Sequence, residues 1–257
     1  MQPRYSSILF AVAVIFTVSA HSAAAAGAYI LRDNGTEVRG DSILALPNGD
    51  LMLTLTGGGA TMRVPNGGYK YALGPKPVEL IRAQAMVKAQ KYETALKVLD
   101  TAYTTHKYLG WAADTAYLKG RCFIAKKKYA KADRAYRDAL RYIYIKRVAK
   151  VLLIKTARVE VRVRQKDFKG ARDVLSRLKP NAHPTSIMIY NARGRVLAAE
   201  GKKSEAITQY LKSVMLFDKT AGPNRKKAYR ALVRLFKDLE DKRWQRFEAA
   251  MRREHGR

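Results

Sequence analysis

The side chains able to do covalent or acid–base chemistry are few in this 257-residue chain, and they stand apart. The four histidines are His21, His106, His183 and His255, and none has a cysteine or a paired carboxylate at metal-ligand spacing. Cys122 is the single cysteine, so an intramolecular disulfide is impossible. It is followed by Phe123 and Ile124, where the expected role is a small buried hydrophobe. No serine sits in a nucleophile elbow or has a plausible base partner. No catalytic, cofactor-binding or metal-ligating residue is therefore assigned, and the chain reads as a non-enzyme with no cofactor. What the sequence does supply is cations: 50 Lys+Arg against 21 Asp+Glu, a net charge of +29. Their chemistry is to hold carboxylates and phosphates, arginine bidentately. The short runs Lys126-Lys127-Lys128 and Arg225-Lys226-Lys227 fall at helix ends or turns, where such residues complement helix C-termini or face water rather than form a nucleic-acid site. Gly57 to Gly59 invites comparison with a phosphate cradle. No helix start follows it and Pro65 comes too soon, so a hairpin turn is the better reading.

The elements that must position these cations fall into three regions. Arg4 followed by the apolar run Ile8 to Ala20 and the small-residue tract Ser22 to Gly27 predicts a secretory signal peptide over 1–26. Cleavage falls after Ala26 or after Ala20, with an uncleaved anchor as the alternative; the run is too short to span a bilayer comfortably. The expected location is periplasmic or secreted, and the mature chain is not expected to be an integral membrane protein. Residues 27–77 hold five bases against four acids, so nearly all the surplus charge lies beyond Pro77. Tyr29 and Leu31, Ile43 and Ala45, Leu51 to Leu55, Met62 and Val64, and Tyr69 and Tyr71 alternate between Asn-Gly and Gly-rich turns. This predicts a β module of about five strands, a meander or a barrel, whose spacing resembles the small SH3-like or Sm-like barrels. It could bind a partner or cap the helices that follow.

From Val78 the period becomes helical. Helix pairs are predicted near 78–90 and 92–105, 112–127 and 129–142, 147–165 and 168–178, and 184–200 and 203–217. Gly110, Lys179-Pro180-Asn181, Pro184 and Gly222-Pro223-Asn224 mark the breaks. In each pair a small or branched residue stands twelve positions before an alanine: Ala83 and Ala95, Gly120 and Ala132, Val159 and Ala171, Gly194 and Ala206. Four residues after the alanine come Leu99, Tyr136, Leu175 and Tyr210, and three after the leading position come Met86, Phe123, Arg162 and Leu197. The alanines are 37, 39 and 35 residues apart. A last pair, 224–240 and 242–254, lacks the motif; it is amphipathic and is expected to cap the array over 218–257.

These residues resemble the tetratricopeptide repeat (TPR) motif, best in the second pair and least in the third, where Val159 and Arg162 replace the small residue and the aromatic. The resemblance covers 78–217 closely and 224–254 loosely. It implies a mainly α protein, a right-handed α-solenoid of TPR-like helix hairpins preceded by the small all-β module. Proteins of this family typically bind peptides or protein surfaces in a groove lined by the first helix of each pair. Carried onto this chain, the candidate groove is Lys88, Tyr117, Arg121, Arg164, Asn191 and Arg195; a merely solvated basic face is the competing reading. Two functions are expected. The first is a non-enzymatic exported scaffold for protein–protein interaction at the cell envelope, with a protein or peptide partner. The alternative is a basic helical domain binding an anionic polymer: envelope polysaccharide, lipid headgroups or nucleic acid.

Overall fold

The computed structural model describes residues 27–57, 59–143, 148–181, 184–218 and 222–256. The expected signal peptide, Gly58 of the glycine turn and His183 lie outside the described residues. The described residues begin with five antiparallel strands, β1 Ala28–Arg32, β2 Glu37–Ala45, β3 Leu51–Leu55, β4 Thr61–Val64 and β5 Tyr69–Leu73. They form one sheet in the order β4-β3-β2-β1-β5. Val38 and the Ile43–Ala45 stretch join into one long strand, β2. Its first half pairs with β1 and its second with β3, and the register shifts between Gly40 and Ser42. A side chain at Gly40 would collide with the Thr54 carbonyl and Leu53, so the bend needs glycine there. The alternating positions Ile30, Leu51 and Leu53 are fully buried.

Among the described residues ten helices follow in pairs: α1 Val78–Lys88 with α2 Tyr92–His106; α3 Ala112–Ala125 with α4 Tyr129–Arg141; α5 Val148–Arg164 with α6 Phe168–Ser176; α7 Ile187–Ala199 with α8 Lys203–Met215; α9 Gly222–Lys237 with α10 Arg243–His255. None of the described helices is long and apolar enough to cross a membrane. Each second helix packs on the first helix of the next pair, and α5, α7 and α9 lie side by side. This is a TPR-like α-solenoid, and its motif residues explain why. The alanines Ala83, Ala95, Ala132, Ala171 and Ala206 are all fully buried where helices cross. A Cβ on Gly120 would overlap the ring of Tyr136 from its own hairpin, and one on Gly194 would sit 2.8 Å from Tyr210 Cε2. The tyrosines thus seat first on the glycines of their own pair. Tyr136 also shares a core cluster with Ile154 and Val161 of α5, which carries it across to the next.

The third pair departs from the motif for two reasons visible in the packing. Leu175 stands where the other central pairs have tyrosine, so the buried Val159 replaces a glycine. Arg162 stands where an aromatic was expected and spends its guanidinium on ions: Nη1 lies 2.6 Å from Asp167 Oδ2, and Nη2 3.4 Å from Asp133 Oδ2. Asp133, on α4, also receives Arg158 Nε at 3.0 Å, which ties the second pair to the third.

The last pair proves to be a fifth hairpin of the same kind. Every pair turns through one residue in the left-handed region: Gln90, Lys127, Lys166, Gly201 and Glu240, at φ of 60°, 58°, 61°, 81° and 55°. The residue after each donates its N–H five positions back: Lys91 to Met86, Lys128 to Phe123, Asp167 to Arg162, Lys202 to Leu197 and Asp241 to Phe236, all at 2.8–2.9 Å. These are Schellman closures of the first helix. Phe236 therefore occupies the position of Phe123 and stacks on Phe247 of α10, with ring centroids 5.3 Å apart. Arg225, expected to complement a helix C-terminus or to face water, does the first and also clamps this pair shut. Its Nε lies 2.6 Å and its Nη2 2.9 Å from the Glu254 carboxylate, Nη1 caps the carbonyls of Val214 and Phe217, and Tyr229 donates to Glu254 at 2.6 Å.

The sheet docks on the turn between α2 and α3, and leaves the outer side of α1 open. Tyr108, Leu109 and Trp111 of this turn enter the sheet's core, and Trp111 Nε1 donates to the Gly74 carbonyl at 3.1 Å. Gly110 adopts φ 75°, and a Cβ there would meet Tyr71 Oη at 2.6 Å. Val78 and Ile81 on α1 remain 67% and 50% exposed.

Candidate functional site

The helix turns fix a common register, and it places the candidate residues on one face. Six positions before each left-handed turn residue stand Gln84, Arg121, Glu160, Arg195 and Arg234, one on the first helix of each hairpin. The helical period brings Arg164 of α5, Asn191 of α7, and Lys227 and Arg230 of α9 to the same side. A cavity of about 540 Å³ opens there, lined by Glu160 and Arg164 of α5, Asn191 and Arg195 of α7, and Lys227, Arg230 and Arg234 of α9. Val163, Ala231 and Tyr210 supply its apolar wall.

Glu160 is the only carboxylate among the described residues that line this cavity. Its Oε2 accepts from Arg195 Nη1 at 2.8 Å and its Oε1 from Arg164 Nη2 at 2.9 Å. Burial pushes its carboxyl up, but the charge of Arg195 and the hydrogen bond and charge of Arg164 outweigh that, so it is held below the usual range. Lys227 is open to water, yet crowding by protein disfavours its ammonium, and the neighbouring charges of Arg195 and Arg121 add to the effect; Glu160 offsets part of it. Its pKa is lowered as a result. Burial also raises the phenol of Tyr210, against the opposing charges of Arg195 and Arg234. The groove is therefore a crowded cationic surface with one internal anion, in which further negative charge is welcome.

Of the sequence-based candidates, Arg164, Asn191 and Arg195 line the cavity. Arg121 lies close enough for its charge to act on Lys227, and Tyr117 feels both Arg121 and Glu160. Tyr117 is mostly engaged in packing: its ring sits 5.7 Å from that of Tyr136, with the Lys150 ammonium 5.4 Å over it. Asn191 has a structural role. It is buried, and its Nδ2 donates to the Asn224 carbonyl at 2.9 Å, joining α7 to the start of α9, while its Oδ1 has no hydrogen-bond partner among the described residues. Lys88 is exposed in the last turn of α1 and does not line the cavity.

Four contributors were missed. Glu160 was not among the candidates, which were bases and two neutral polar residues, although its place four residues before Arg164 is the signature of a helical ion pair. Lys227 was singled out only within the run Arg225-Lys226-Lys227, and Arg230 and Arg234 lie on the pair that was expected to cap the array. Their spacing of three and four residues is a one-face pattern on α9. Elsewhere, Cys122 is fully buried and its thiol is pushed up to about 11 by that burial. Lys126, from the first basic run, pairs with Glu93.

The chain matches no protein-family model and no curated protein. Solved structures of MamA resemble it. MamA from residue 41 onward, from Desulfovibrio magneticus RS-1, aligns at TM-score 0.44 and 15% identity over 68% of this chain and 91% of that one. MamA of AMB-1 aligns at 0.43 and 16%, over 69% and 98%. Likeness of this degree carries no argument about ligand or role.

Proposed function

We propose that this chain is an exported, non-enzymatic scaffold that binds another protein at the cell envelope, gripping an extended acidic segment of it in the groove of α3, α5, α7 and α9. The observation that carries this reading is the convergence of Arg121, Arg164, Arg195, Lys227, Arg230 and Arg234, from four successive hairpins, around the single carboxylate Glu160. Between the cations lie Val163, Ala231, Tyr210 and the buried amide of Asn191. Such a mixed lining suits a polypeptide, which offers apolar side chains and backbone hydrogen bonds along with its charges. A uniformly charged polymer would use only the cations. Export rests on the leader-like segment 1–26. Once it is removed, the chain would begin near Gly27 and work beside the membrane, in the periplasm or outside the cell.

The test is affinity capture from an envelope extract with the chain from Gly27, washed at low and at high salt, beside its Arg121→Ala/Arg195→Ala variant. A discrete protein kept by the wild-type chain at high salt and lost by the variant is the expected result. Equal retention by the variant would remove the groove as the contact surface. Polysaccharide, lipid or nucleic acid recovered only at low salt would favour the anionic-polymer function instead, because counterion release makes such binding steeply salt-dependent.

A further inference from the structure

One acid stands in a row of bases. At the register six residues before each turn, the second, fourth and fifth hairpins carry Arg121, Arg195 and Arg234, and the third, at the centre, carries Glu160. Its two oxygens are divided between Arg195 Nη1 at 2.8 Å and Arg164 Nη2 at 2.9 Å. The side chain of Glu160 is only 29% exposed, so it lies in the floor of the groove with the guanidiniums above it. We propose that Glu160 is a built-in counter-ion that occupies the groove's anion position in the free protein, so that an acidic segment of a partner binds by exchange and takes Arg164 and Arg195 over from it. This inference rests on the groove reading above and adds what regulates it.

Two opposing effects meet at Glu160. Without Glu160, Arg121, Arg164, Arg195 and Lys227 would confront one another in a partly desolvated cavity, and their repulsion would spread the side chains. Glu160 holds two of them in place at the cost of competing for the ligand. An incoming carboxylate gains the guanidiniums only while also approaching the Glu160 charge. The exchange is therefore favourable for a ligand bearing several negative charges, which engages Lys227, Arg230 and Arg234 as well. It is close to neutral for a ligand bearing one. Glu160 thus sets a threshold of acidity, and its charge works as selection against weakly charged segments.

The experiment uses the chain from Gly27 and a fluorescein-labelled octaglutamate probe, titrated by anisotropy at fixed ionic strength. The variants are Glu160→Gln, the charge-conserving Glu160→Asp, and Asp173→Asn as an acid outside the groove. Removing one unit charge about 5 Å from the ligand, at an effective dielectric of about 80 to 40, predicts about four- to fifteenfold tighter binding by Glu160→Gln. Glu160→Asp should stay within about twofold of wild type, on the same charge argument, and Asp173→Asn should match wild type. A diglutamate probe should gain proportionally more from Glu160→Gln than octaglutamate does. If Glu160→Gln binds octaglutamate no tighter than wild type, or if Asp173→Asn tightens binding equally, the exchange is wrong while the groove can still stand. If no variant binds the probe, the groove reading fails with it. Binding by Glu160→Gln alone would be the strongest form of the proposal, a groove closed by its own anion.

Discussion

The fit of Tyr136 over Gly120 makes the sharpest prediction about what holds the hairpins together. Replacing Gly120 with alanine adds one methyl, and its Cβ would overlap Cε1, Cζ and Cδ1 of the Tyr136 ring. At Gly194 the same methyl would stand 2.8 Å from Tyr210. Ordinary carbon contacts are about 3.5–4.0 Å, so each pair of helices must part by most of an ångström. Overpacking of this kind costs about 1–3 kcal/mol, whereas exchanging glycine for alanine inside a helix returns about 1 kcal/mol. Gly120→Ala should therefore destabilise by about 2 kcal/mol, and Gly194→Ala by about 1 kcal/mol. In a protein of this size the first shift is about 4–8 °C in Tm, read by circular dichroism. The third hairpin supplies the rescue, since it pairs Val159 with Leu175. Tyr136→Leu alone should also destabilise, but Gly120→Ala with Tyr136→Leu should lose about 1–2 kcal/mol less than the two single changes added together. Strict additivity, or a rise in Tm for Gly120→Ala alone, would show that the tyrosine is not seated on the glycine.

Other consequences concern the last hairpin, the turns and the sheet. Glu254 is held at about 2, well below the ordinary 4.5 of a glutamate, chiefly by its hydrogen bonds from Arg225, and it is nearly buried. A depressed carboxylate stabilises above its unfolded pKa and loses that contribution as pH falls, here between about 4.5 and 2. Glu254→Gln should cost about 3 kcal/mol at neutral pH and flatten the acid limb of a Tm–pH curve over that window; a superimposable curve would contradict the clamp. Among the turn residues only Gly201 is free of side-chain strain, so Glu240→Gly should raise stability by about 0.5–1 kcal/mol and Gly201→Ala should lower it by about 1 kcal/mol, by chemical denaturation. Trp111→Phe removes the hydrogen bond to the Gly74 carbonyl. It should quicken hydrogen exchange across β5 while leaving α7 to α10 unchanged.

Much of the fold was written in spacing. The alanines twelve residues after a small position, the alternating leucines of β3 and the glycine-rich turns depend on neighbours in sequence, where periodicity can be read. Two features resisted. The fifth hairpin keeps the backbone turn but puts Val233 and Gln245 at the positions of the paired small residues, so the side-chain motif vanishes while the Schellman closure at Glu240 survives. The docking of the sheet on residues 107–111 depends on Tyr108, Leu109 and Trp111 meeting strands more than thirty residues away, and no local pattern reports it. The groove was half legible. Its arginines followed from the register, but the identity of Glu160 as their partner needed the distances, and Lys227, Arg230 and Arg234 needed the fifth hairpin to be counted.

The central claim is that the groove of first helices is where a ligand sits, and side-chain NMR addresses it directly. With ¹⁵N-labelled chain from Gly27, the arginine Nε–H and asparagine Nδ2–H signals can be followed as octaglutamate is added at about physiological ionic strength. The account predicts saturable shifts at Arg121, Arg164, Arg195, Arg230 and Arg234 and at the Asn191 amide, with little change at Arg172, Arg177 or Arg243. Shifts spread evenly over the arginines, or confined to those outside the groove, would show that the charge is a general surface property and that the groove is not the site.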